Sequence, residues 1–265
     1  MRVAAVDLGT GATRLLIADV EGGRVDEVHR ETRLTRLGEG VDSRRRLLPV
    51  PVARVRNCLA DYRRTLEELG AERTLAVATS AVRDAENGEA FLGEVEWSYG
   101  FVTRLLSGDE EAALVRRGVA CGRDLDEETL VLDVGGGSTE LILDGFHTSL
   151  EVGSVRLTER HLRTDPPTAA ELDEATAGVA GLLPALEPGA AIGVAGTIAT
   201  LGALDLGLAT LERHTVNGHM IDAASVEELT AQLAALTVAE RRALPAMEPE
   251  RAPVIVGGAL VVRET

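Results

Sequence analysis

A chain of 265 residues is long enough for two domains of ordinary size. Its composition, 45% hydrophobic and 26% charged, excludes disordered, collagen-like and disulfide-scaffold proteins. The net charge of −16 opposes general nucleic-acid binding, which needs a cationic face, so no nucleic-acid partner is expected. The longest strongly apolar run, Ala252–Val262, is far shorter than the ~20 residues that cross a bilayer, and the first residues lack a signal-peptide pattern. We therefore expect a soluble, cytoplasmic protein with no membrane partner.

All 27 basic residues are arginines, because the chain contains no lysine. This excludes a Walker-type phosphate loop, a Schiff base with pyridoxal phosphate and a protein-kinase strand lysine. The segment Arg30–Arg64 nevertheless carries ten arginines against four acids, a local charge of +6. Two interpretations stay open: a solvated helix and loop surface, or a basic rim that attracts a polyanion.

The cysteine and histidine spacings do not indicate a metal or disulfide framework. Cys58 and Cys121 are 63 positions apart and neither belongs to a CxxC pair, so both are expected to be buried free thiols. The nearest histidines, His214 and His219, are five residues apart and would not share a helix face. A transition-metal site is not expected.

The apolar pattern and the Gly and Pro positions predict an alternation of strands and helices. The first half should contain a hairpin at Val3–Val20, a helix from Pro49 or Pro51 to Gly70, strand Thr74–Ser80, helix Ala85–Leu92, strand Phe101–Leu106 and helix Asp109–Gly118, capped by Ser107 or Asp109. The second half should contain a hairpin at Leu130–Gly145, helices Ser154–Leu162 and Thr168–Leu183, a buried strand Ala190–Gly196 and a helix from Thr197. This order favours an α/β fold with mostly parallel sheets, each opened by an antiparallel hairpin.

The two predicted hairpins are copies of each other. The stretch VAAVDLGTGATRLLIADV at Val3–Val20 matches LVLDVGGGSTELILDG at Leu130–Gly145 with an offset of 126 residues. A repeat of about half the chain length indicates two similar domains, 1–125 and 126–265, with a boundary in the polar stretch Gly122–Glu128. Arg14 stands where a dinucleotide fingerprint needs its third glycine, so Rossmann-type binding is rejected.

The glycine-rich turns of both hairpins are suited to phosphate. Backbone N–H groups in such turns can surround a tetrahedral anion, and hydroxyl groups add donors; a tight turn without a ligand is the alternative. The preceding aspartates could hold a hydrated Mg²⁺. A third element at Gly193–Thr200 opens a helix and offers another anion site, or simply close helix–strand packing. The candidate residues of the first turn are Asp7, Gly9 and Thr10, those of the second are Asp133, Gly136, Gly137, Ser138 and Thr139, and those of the third are Gly196 and Thr197.

Seven stretches in chain order resemble one family, the exopolyphosphatase and guanosine pentaphosphate phosphohydrolase family of the actin, Hsp70 and hexokinase superfamily. Besides the two hairpins, they are VATSAVRDAENG, LLSGDEEA, VGSVRLTERHL, AIGVAGTIATL and VNGHMI. The resemblance implies two duplicated ribonuclease-H-like (actin-like ATPase) domains around a central cleft. It is strongest to the short, two-domain members. Longer members add a helical C-terminal domain associated with long chains, so short chains or nucleotides are expected here.

The resemblance also implies roles for individual residues. Glu111 would activate or position the attacking water, Glu140 would orient that water and help Asp7 and Asp133 to hold the cation, and Arg83 would grip substrate phosphates. Gly136, Gly137, Ser138 and Thr139 would form the phosphate cradle, with further contacts from Gly196 and Thr197. Taken without the family, the acids of SGDEEA are better explained as helix-capping residues. Gly11 and Ala12 depart from the family's asparagine and serine, which removes side-chain donors from the first turn.

The expected activity is release of terminal orthophosphate from inorganic polyphosphate, with guanosine pentaphosphate as the other substrate, by Mg²⁺-assisted attack of water. Two alternatives stay open. One is a non-catalytic sensor of polyphosphate or guanosine tetraphosphate, and the other is an ATP-dependent kinase or ATPase of the same superfamily. A homodimer is implied by the resemblance alone.

Overall fold

Two mixed sheets organise the chain, and a computed structural model describes them over all of residues 1–265. The strands are β1 Arg2–Leu8, β2 Thr13–Glu21, β3 Arg24–Arg33, β4 Arg73–Ala78, β5 Val102–Leu105, β6 Thr129–Val134, β7 Thr139–Leu143, β8 Phe146–Leu150 and β9 Ala190–Val194. The helices are α1 Val41–Arg44, α2 Pro49–Leu69, α3 Ser80–Arg83, α4 Gly88–Tyr99, α5 Gly108–Ala120, α6 Ser154–His161, α7 Ala169–Ala180, α8 Ala195–Asp205, α9 Arg213–Val216, α10 Ala223–Ala235, α11 Val238–Arg242 and α12 Ile255–Glu264.

The strand orders of the two sheets repeat each other. The first sheet is β3-β2-β1-β4-β5 and the second is β8-β7-β6-β9. In each sheet the first three strands form an antiparallel meander, and the next strand pairs in parallel with the first. The duplication predicted from the hairpins is therefore present in the topology. The expectation of mostly parallel sheets is wrong, because β3 and β8 each extend the hairpin by another antiparallel strand.

The chain divides into two compact units, Met1–Glu111 and Ala112–Thr265. The sequence placed the boundary later, at 125/126. The division falls inside α5 because the part of that helix after Glu111 packs with the second sheet. Ala112 is fully buried in a cluster with Val131 and Ile142.

Helix α2 covers one face of the first sheet. Prolines are accommodated in its first turn because N–H groups there have no acceptor within the helix. Gly70 ends the helix in a left-handed conformation with φ 70°. Its buried side chains recur every three to four residues, and Tyr62 among them donates from its hydroxyl to the Thr13 carbonyl at 3.0 Å. This hydrogen bond connects the helix to the first residue of β2.

Helix α12 is the centre of the second core. Its residues from Ile255 to Val261 are all buried, and Gly257 and Gly258 allow two neighbours to approach closely. A Cβ atom on Gly257 would lie 2.8 Å from the Ser154 carbonyl oxygen, and one on Gly258 would lie 2.7 Å from the Thr197 side chain. The sequence showed this apolar run without assigning it to a helix. No helix in the structure combines the length and apolarity of a membrane span.

Several local predictions need correction. The predicted helix Ala85–Leu92 is replaced by α3 and α4, and α8 begins two residues before the predicted Thr197. Strand β9 is largely exposed rather than buried, because it lies at a sheet edge and pairs only with β6. Cys58 is buried, which raises the pKa of its thiol to about 11, but Cys121 is exposed.

Candidate functional site

The glycine-rich turns of the two units have the same shape. The Gly9 amide donates to the Ala12 carbonyl at 3.0 Å, and the Gly135 amide donates to the Ser138 carbonyl at 3.0 Å. A Cβ atom at either glycine would lie 3.0 Å from that same carbonyl oxygen. A side chain at the first position of either turn would therefore be crowded, which favours glycine there.

The amide groups inside the second turn are available for a ligand. No hydrogen bond within the chain uses the N–H groups of Gly136, Gly137 or Ser138, or the Ser138 hydroxyl. Successive amide groups of this kind form a concave donor surface for anions. The turn can therefore bind a phosphate oxygen through several donors without changing its own hydrogen bonds.

The carbonyl groups of the second turn are held from behind by the start of α6. The amides of Ser154 and Val155 donate to the carbonyls of Gly135 and Gly136 at 2.9 and 2.8 Å. This close approach requires Gly153, whose Cβ atom would lie 2.7 Å from the Gly136 backbone. Hydrogen bonds to the carbonyls fix the turn, which keeps its amide groups in one arrangement.

An equivalent support lies behind the first turn. The Arg36 amide donates to the Gly11 carbonyl and the Gly38 amide to the Thr10 carbonyl, both at 2.9 Å. Here the supporting segment follows β3, as the start of α6 follows β8. The duplication thus extends from the hairpin to the segment that holds its turn.

Threonine hydroxyls near the turns have structural partners. Thr139, fully buried, donates to the Val152 carbonyl at 2.6 Å, so its hydroxyl would have to leave that acceptor to bind phosphate. The Thr10 hydroxyl lies 2.8 Å from that of Ser80 and accepts from the Ala81 amide at 3.2 Å. The backbone of these residues remains the better candidate for phosphate contact.

The two copies differ in the charges that flank their turns. Asp7 pairs in register with Arg14 across β1 and β2, and the Arg14 guanidinium donates to its carboxylate at 2.5 Å. Asp133 pairs in register with Glu140 across β6 and β7. The first copy thus offers one carboxylate, which already binds an arginine, and the second copy offers two carboxylates on one face of the sheet.

The Asp133–Glu140 pair can supply two carboxylates to a divalent cation, where Asp7 supplies one. Glu140 is 1% exposed, and its carboxylate accepts from the Ser149 hydroxyl at 2.8 Å. Mg²⁺ commonly uses one or two carboxylates and takes its other ligands from water and substrate phosphate. The structure has no group of three or more His, Cys, Asp or Glu side chains arranged to hold a metal, so substrate or water would have to complete the site.

Two adjacent acids at the start of α5 have different partners. Glu110 forms a capping box with Ser107: its carboxylate accepts from the Ser107 amide at 2.9 Å, and its amide donates to the Ser107 hydroxyl at 3.2 Å. The hydrogen bond from the Ser107 amide lowers the pKa of Glu110, and the hydrogen bond from the Arg104 guanidinium lowers it further by a smaller amount. Glu111 instead lies 3.7 Å from the Arg83 guanidinium, with 17% of its side chain exposed.

Arg83 is held at the end of α3 by the neighbouring strand. Its guanidinium donates to the Leu106 carbonyl at 2.7 Å and is 29% exposed. Because the chain turns from β5 into α5 directly after Leu106, Arg83 and Glu111 meet at the same end of the first sheet. The sequence separates them by 28 positions, and the structure brings these two predicted site residues together.

An arginine that the sequence analysis did not select lies at the start of α8. A Cβ atom on Gly196 would collide with the Arg251 guanidinium, so this glycine makes room for the arginine. Arg251 is 11% exposed and forms an ion pair with Glu248 at 2.7 Å. Its charge adds to the partial positive charge of the helix N-terminus, where Thr197 is 2% exposed. In the sequence, Arg251 was recognisable only as the residue directly before the apolar run Ala252–Val262.

The predicted site residues therefore form two sets, one in each unit. The first unit holds Asp7, Gly9, Thr10, Arg83 and Glu111, and the second holds Asp133, Gly136, Gly137, Ser138, Thr139, Glu140, Gly196 and Thr197. Each set is collected at the end of its sheet where the parallel strands finish. That position is the usual one for ligand sites in α/β sheets.

Comparison with known proteins gives matches over most of the chain. A model of the Ppx/GppA phosphatase family matches residues 16–265. The protein named exopolyphosphatase 2 from Mycobacterium tuberculosis is 41% identical over 286 aligned residues, covering 99% of this chain and 89% of that protein. A guanosine-5'-triphosphate,3'-diphosphate pyrophosphatase from Photobacterium profundum is 33% identical, over 65% of this chain and 36% of its own length.

Solved structures show the same fold. The crystal structure of an exopolyphosphatase-like protein matches with a TM-score of 0.89 and 35% identity, covering 100% of this chain and 88% of the other. The Aquifex aeolicus PPX-GPPA enzyme matches with a TM-score of 0.81 and 29% identity, covering 100% and 91%. The α/β fold class with two domains of repeated topology, expected from the sequence, is confirmed. With its family model, its full-length relative and its fold in agreement, the chain belongs to the Ppx/GppA phosphatase family.

Proposed function

We propose that this protein is an exopolyphosphatase that releases orthophosphate from the end of an inorganic polyphosphate chain. The observation that carries the proposal is the second turn, whose unused amides at Gly136, Gly137 and Ser138 lie beside the paired carboxylates of Asp133 and Glu140. A surface of N–H donors can bind the oxygens of a phosphoryl group, and carboxylates beside it can hold the cation that assists attack on its phosphorus. The name of the Mycobacterium tuberculosis relative supports the same substrate.

In the proposed reaction, water attacks the terminal phosphorus in line with the bond to the departing chain. Glu111 orients this water and accepts its proton, and the departing chain takes the electron pair of the broken P–O bond. The Arg83 guanidinium neutralises charge on the phosphoryl oxygens and also fixes the Glu111 carboxylate, 3.7 Å away. The amides of the second turn stabilise the oxygens of the transferred group.

Asp133 and Glu140 would hold a magnesium ion, which supplies positive charge against the developing negative charge on the phosphoryl group. Glu140 is fixed for this role by the Ser149 hydroxyl. Arg251 and the amides at Gly196 and Thr197 would provide a further phosphate contact at the start of α8.

Guanosine pentaphosphate is the second candidate substrate. It is favoured by the relatives that are named guanosine-5'-triphosphate,3'-diphosphate pyrophosphatases at 32–33% identity. Both substrates end in a phosphoric anhydride, so the same groups would act on either.

The test is orthophosphate release by the purified protein with Mg²⁺ and short-chain polyphosphate, with guanosine pentaphosphate and ATP in parallel reactions. The proposal predicts stepwise shortening of polyphosphate and at least a hundredfold loss of rate in Glu111→Gln. Turnover of ATP alone would favour the kinase or ATPase alternative. Tight polyphosphate binding without turnover would favour the sensor.

A further inference from the structure

Three consecutive arginines between α1 and α2 differ from the other arginines of the basic segment. Arg44, Arg45 and Arg46 are exposed and belong to none of the chain's ion pairs. The other seven arginines of that segment each pair with a carboxylate: Arg30, Arg33, Arg36, Arg54, Arg56, Arg63 and Arg64. Most of the local positive charge is thus neutralised, and the remainder is concentrated at one place.

Backbone hydrogen bonds connect the segment that carries these arginines to the parts of the first unit that hold its candidate site residues. The segment that carries them begins at the first turn, where the amides of Arg36 and Gly38 donate to the turn carbonyls. At its other end the Glu86 amide donates to the Arg45 carbonyl at 2.8 Å, three residues after Arg83. The arginine run therefore lies on a segment that connects the first turn with the segment containing Arg83.

A second contact fixes the end of the run. The Asn87 side-chain amide donates to the Leu47 carbonyl at 3.1 Å, and its oxygen accepts from the Leu47 amide at 2.8 Å. Because both backbone groups of Leu47 bind Asn87, the end of the run is fixed to the segment that follows Arg83.

The backbone of the run is also constrained. Arg45 has a left-handed conformation with φ 53°, which non-glycine residues adopt infrequently and which is concentrated at functional positions. The Arg45 amide donates to the Val41 carbonyl at 2.8 Å and thereby holds this conformation. The three guanidinium groups extend from a fixed support, which lowers the entropy lost when they bind a ligand.

We propose that Arg44, Arg45 and Arg46 form an accessory phosphate-binding site for the internal phosphates of a linear polyphosphate whose end is hydrolysed. The inference rests on the proposed function and makes long polyphosphate chains its preferred substrate, in place of the short chains or nucleotides expected from the family resemblance. A chain with a net charge of −16 repels a polyanion, and a local excess of unpaired arginines offsets this repulsion where the polyanion binds. Arginine suits consecutive phosphates because its planar guanidinium donates to two oxygens at once.

The test uses the full chain with Arg44→Gln, Arg45→Gln and Arg46→Gln combined. The control combines Arg73→Gln, Arg117→Gln and Arg242→Gln, three exposed arginines elsewhere that form no ion pair. Both variants change the net charge equally. KM and kcat are measured for tripolyphosphate and for chains of about 50 phosphates over a range of salt concentrations, and folding is checked by thermal melting.

The Arg44–Arg46 variant should raise KM for the long chain about tenfold and KM for tripolyphosphate less than about twofold. The slope of log KM against log salt should fall by roughly 2, at about 0.7 for each phosphate that the variant no longer binds. The control variant should behave as the wild type. Equal long-chain KM values in the two variants would overturn the accessory site.

Binding measurements in the Glu111→Gln background separate this inference from the proposed function. Wild type that hydrolyses no polyphosphate contradicts the proposed function. The accessory site is still supported if the Arg44–Arg46 variant then binds the long chain about tenfold more weakly than the control. If the two bind it equally, the accessory site is wrong.

Discussion

Glu111 and Glu110 are neighbours on α5 whose carboxylates have different partners. Glu111 lies 3.7 Å from the Arg83 guanidinium, and Glu110 caps the helix through Ser107. Successive residues of an α-helix point about 100° apart, so only one of them can face Arg83. The residue pattern alone did not separate the two acids, and the selection of Glu111 rested on the family resemblance. The structure assigns the capping role to Glu110.

Because the partners differ, the same substitution should have different effects at Glu111 and at Glu110. Glu111→Gln should lower kcat for polyphosphate by about 10²- to 10⁴-fold, because the group that accepts the proton of water is lost. Glu110→Gln should keep kcat within about threefold and lower the melting temperature, because the cap is weakened. Comparable losses of kcat in both variants would show that Glu111 has no special role.

The close contact behind the second turn predicts a steric effect. Gly153→Ala places a Cβ atom 2.7 Å from the Gly136 backbone, so the turn or α6 must shift. We expect a loss of stability of roughly 1–3 kcal/mol and a lower kcat, because the phosphate-binding amides are displaced. Steady-state kinetics and chemical denaturation measure the two effects.

Gly118→Ala is the matched control, since nothing lies within 4 Å of a Cβ atom at that helical position. It should leave kcat unchanged and stabilise the protein slightly, because alanine is favoured over glycine in helices. A Gly153→Ala variant with wild-type kcat would contradict the proposed importance of the turn geometry.

The different partners of the two aspartates predict different metal dependence. Asp133→Asn should raise the Mg²⁺ concentration for half-maximal activity about tenfold or more, because one of two facing carboxylates is lost. Asp7→Asn should change that concentration less than about threefold, since Arg14 already occupies the Asp7 carboxylate. Titration of activity with Mg²⁺ tests both. The reverse order of sensitivity would place the cation at Asp7.

Glu171 predicts an acid-dependent loss of stability in the second unit. Hydrogen bonds from the Thr164 hydroxyl and the Thr168 amide lower the pKa of this carboxyl to about 2, from 4.5. A lowered pKa in the folded state stabilises the fold above pH 4.5, and this stabilisation is lost as the pH falls from 4.5 towards 2. The difference in melting temperature between wild type and Glu171→Gln should therefore become smaller as the pH falls from 4.5 towards 2. A difference that is constant with pH would show that the ionised form contributes nothing.

Tyr62 predicts a stability change without a change in activity. Its fully buried hydroxyl donates to the Thr13 carbonyl at 3.0 Å, so Tyr62→Phe leaves that carbonyl without its donor. We expect the free energy of unfolding to fall by about 1–3 kcal/mol. Denaturation with urea measures the change, and an unchanged midpoint would mean that the carbonyl finds another donor.

Short-range features of the fold were predictable because local chemistry determines them. The hairpins follow from alternating apolar residues around a Gly-rich turn, and α2 follows from its prolines, its periodic apolar residues and Gly70. The exposed edge position of β9 was not predictable, because exposure depends on which strands lie beside it. The same limit explains why the buried run of α12 was seen only as an apolar stretch.

The candidate site was predictable where its residues lie within one motif. The second turn, Asp133 and Glu140 are all contained in one hairpin, and their relation is fixed by strand register. Arg251 was missed because it contacts Gly196 only through the tertiary fold. The pairing of Asp7 with Arg14 was missed for another reason: the duplication suggested equal roles, although residue 14 carries the opposite charge to residue 140.

In the proposed reaction, water attacks the terminal phosphorus of polyphosphate and not an internal one. Hydrolysis of short-chain polyphosphate in water enriched with ¹⁸O, followed by mass spectrometry of the products, shows which phosphorus is attacked. We expect one ¹⁸O atom in each orthophosphate cut from the chain end, none in the remaining chain, and loss of the labelled product in Glu111→Gln. Label in the remaining chain, or internal cleavage into long fragments, would contradict it.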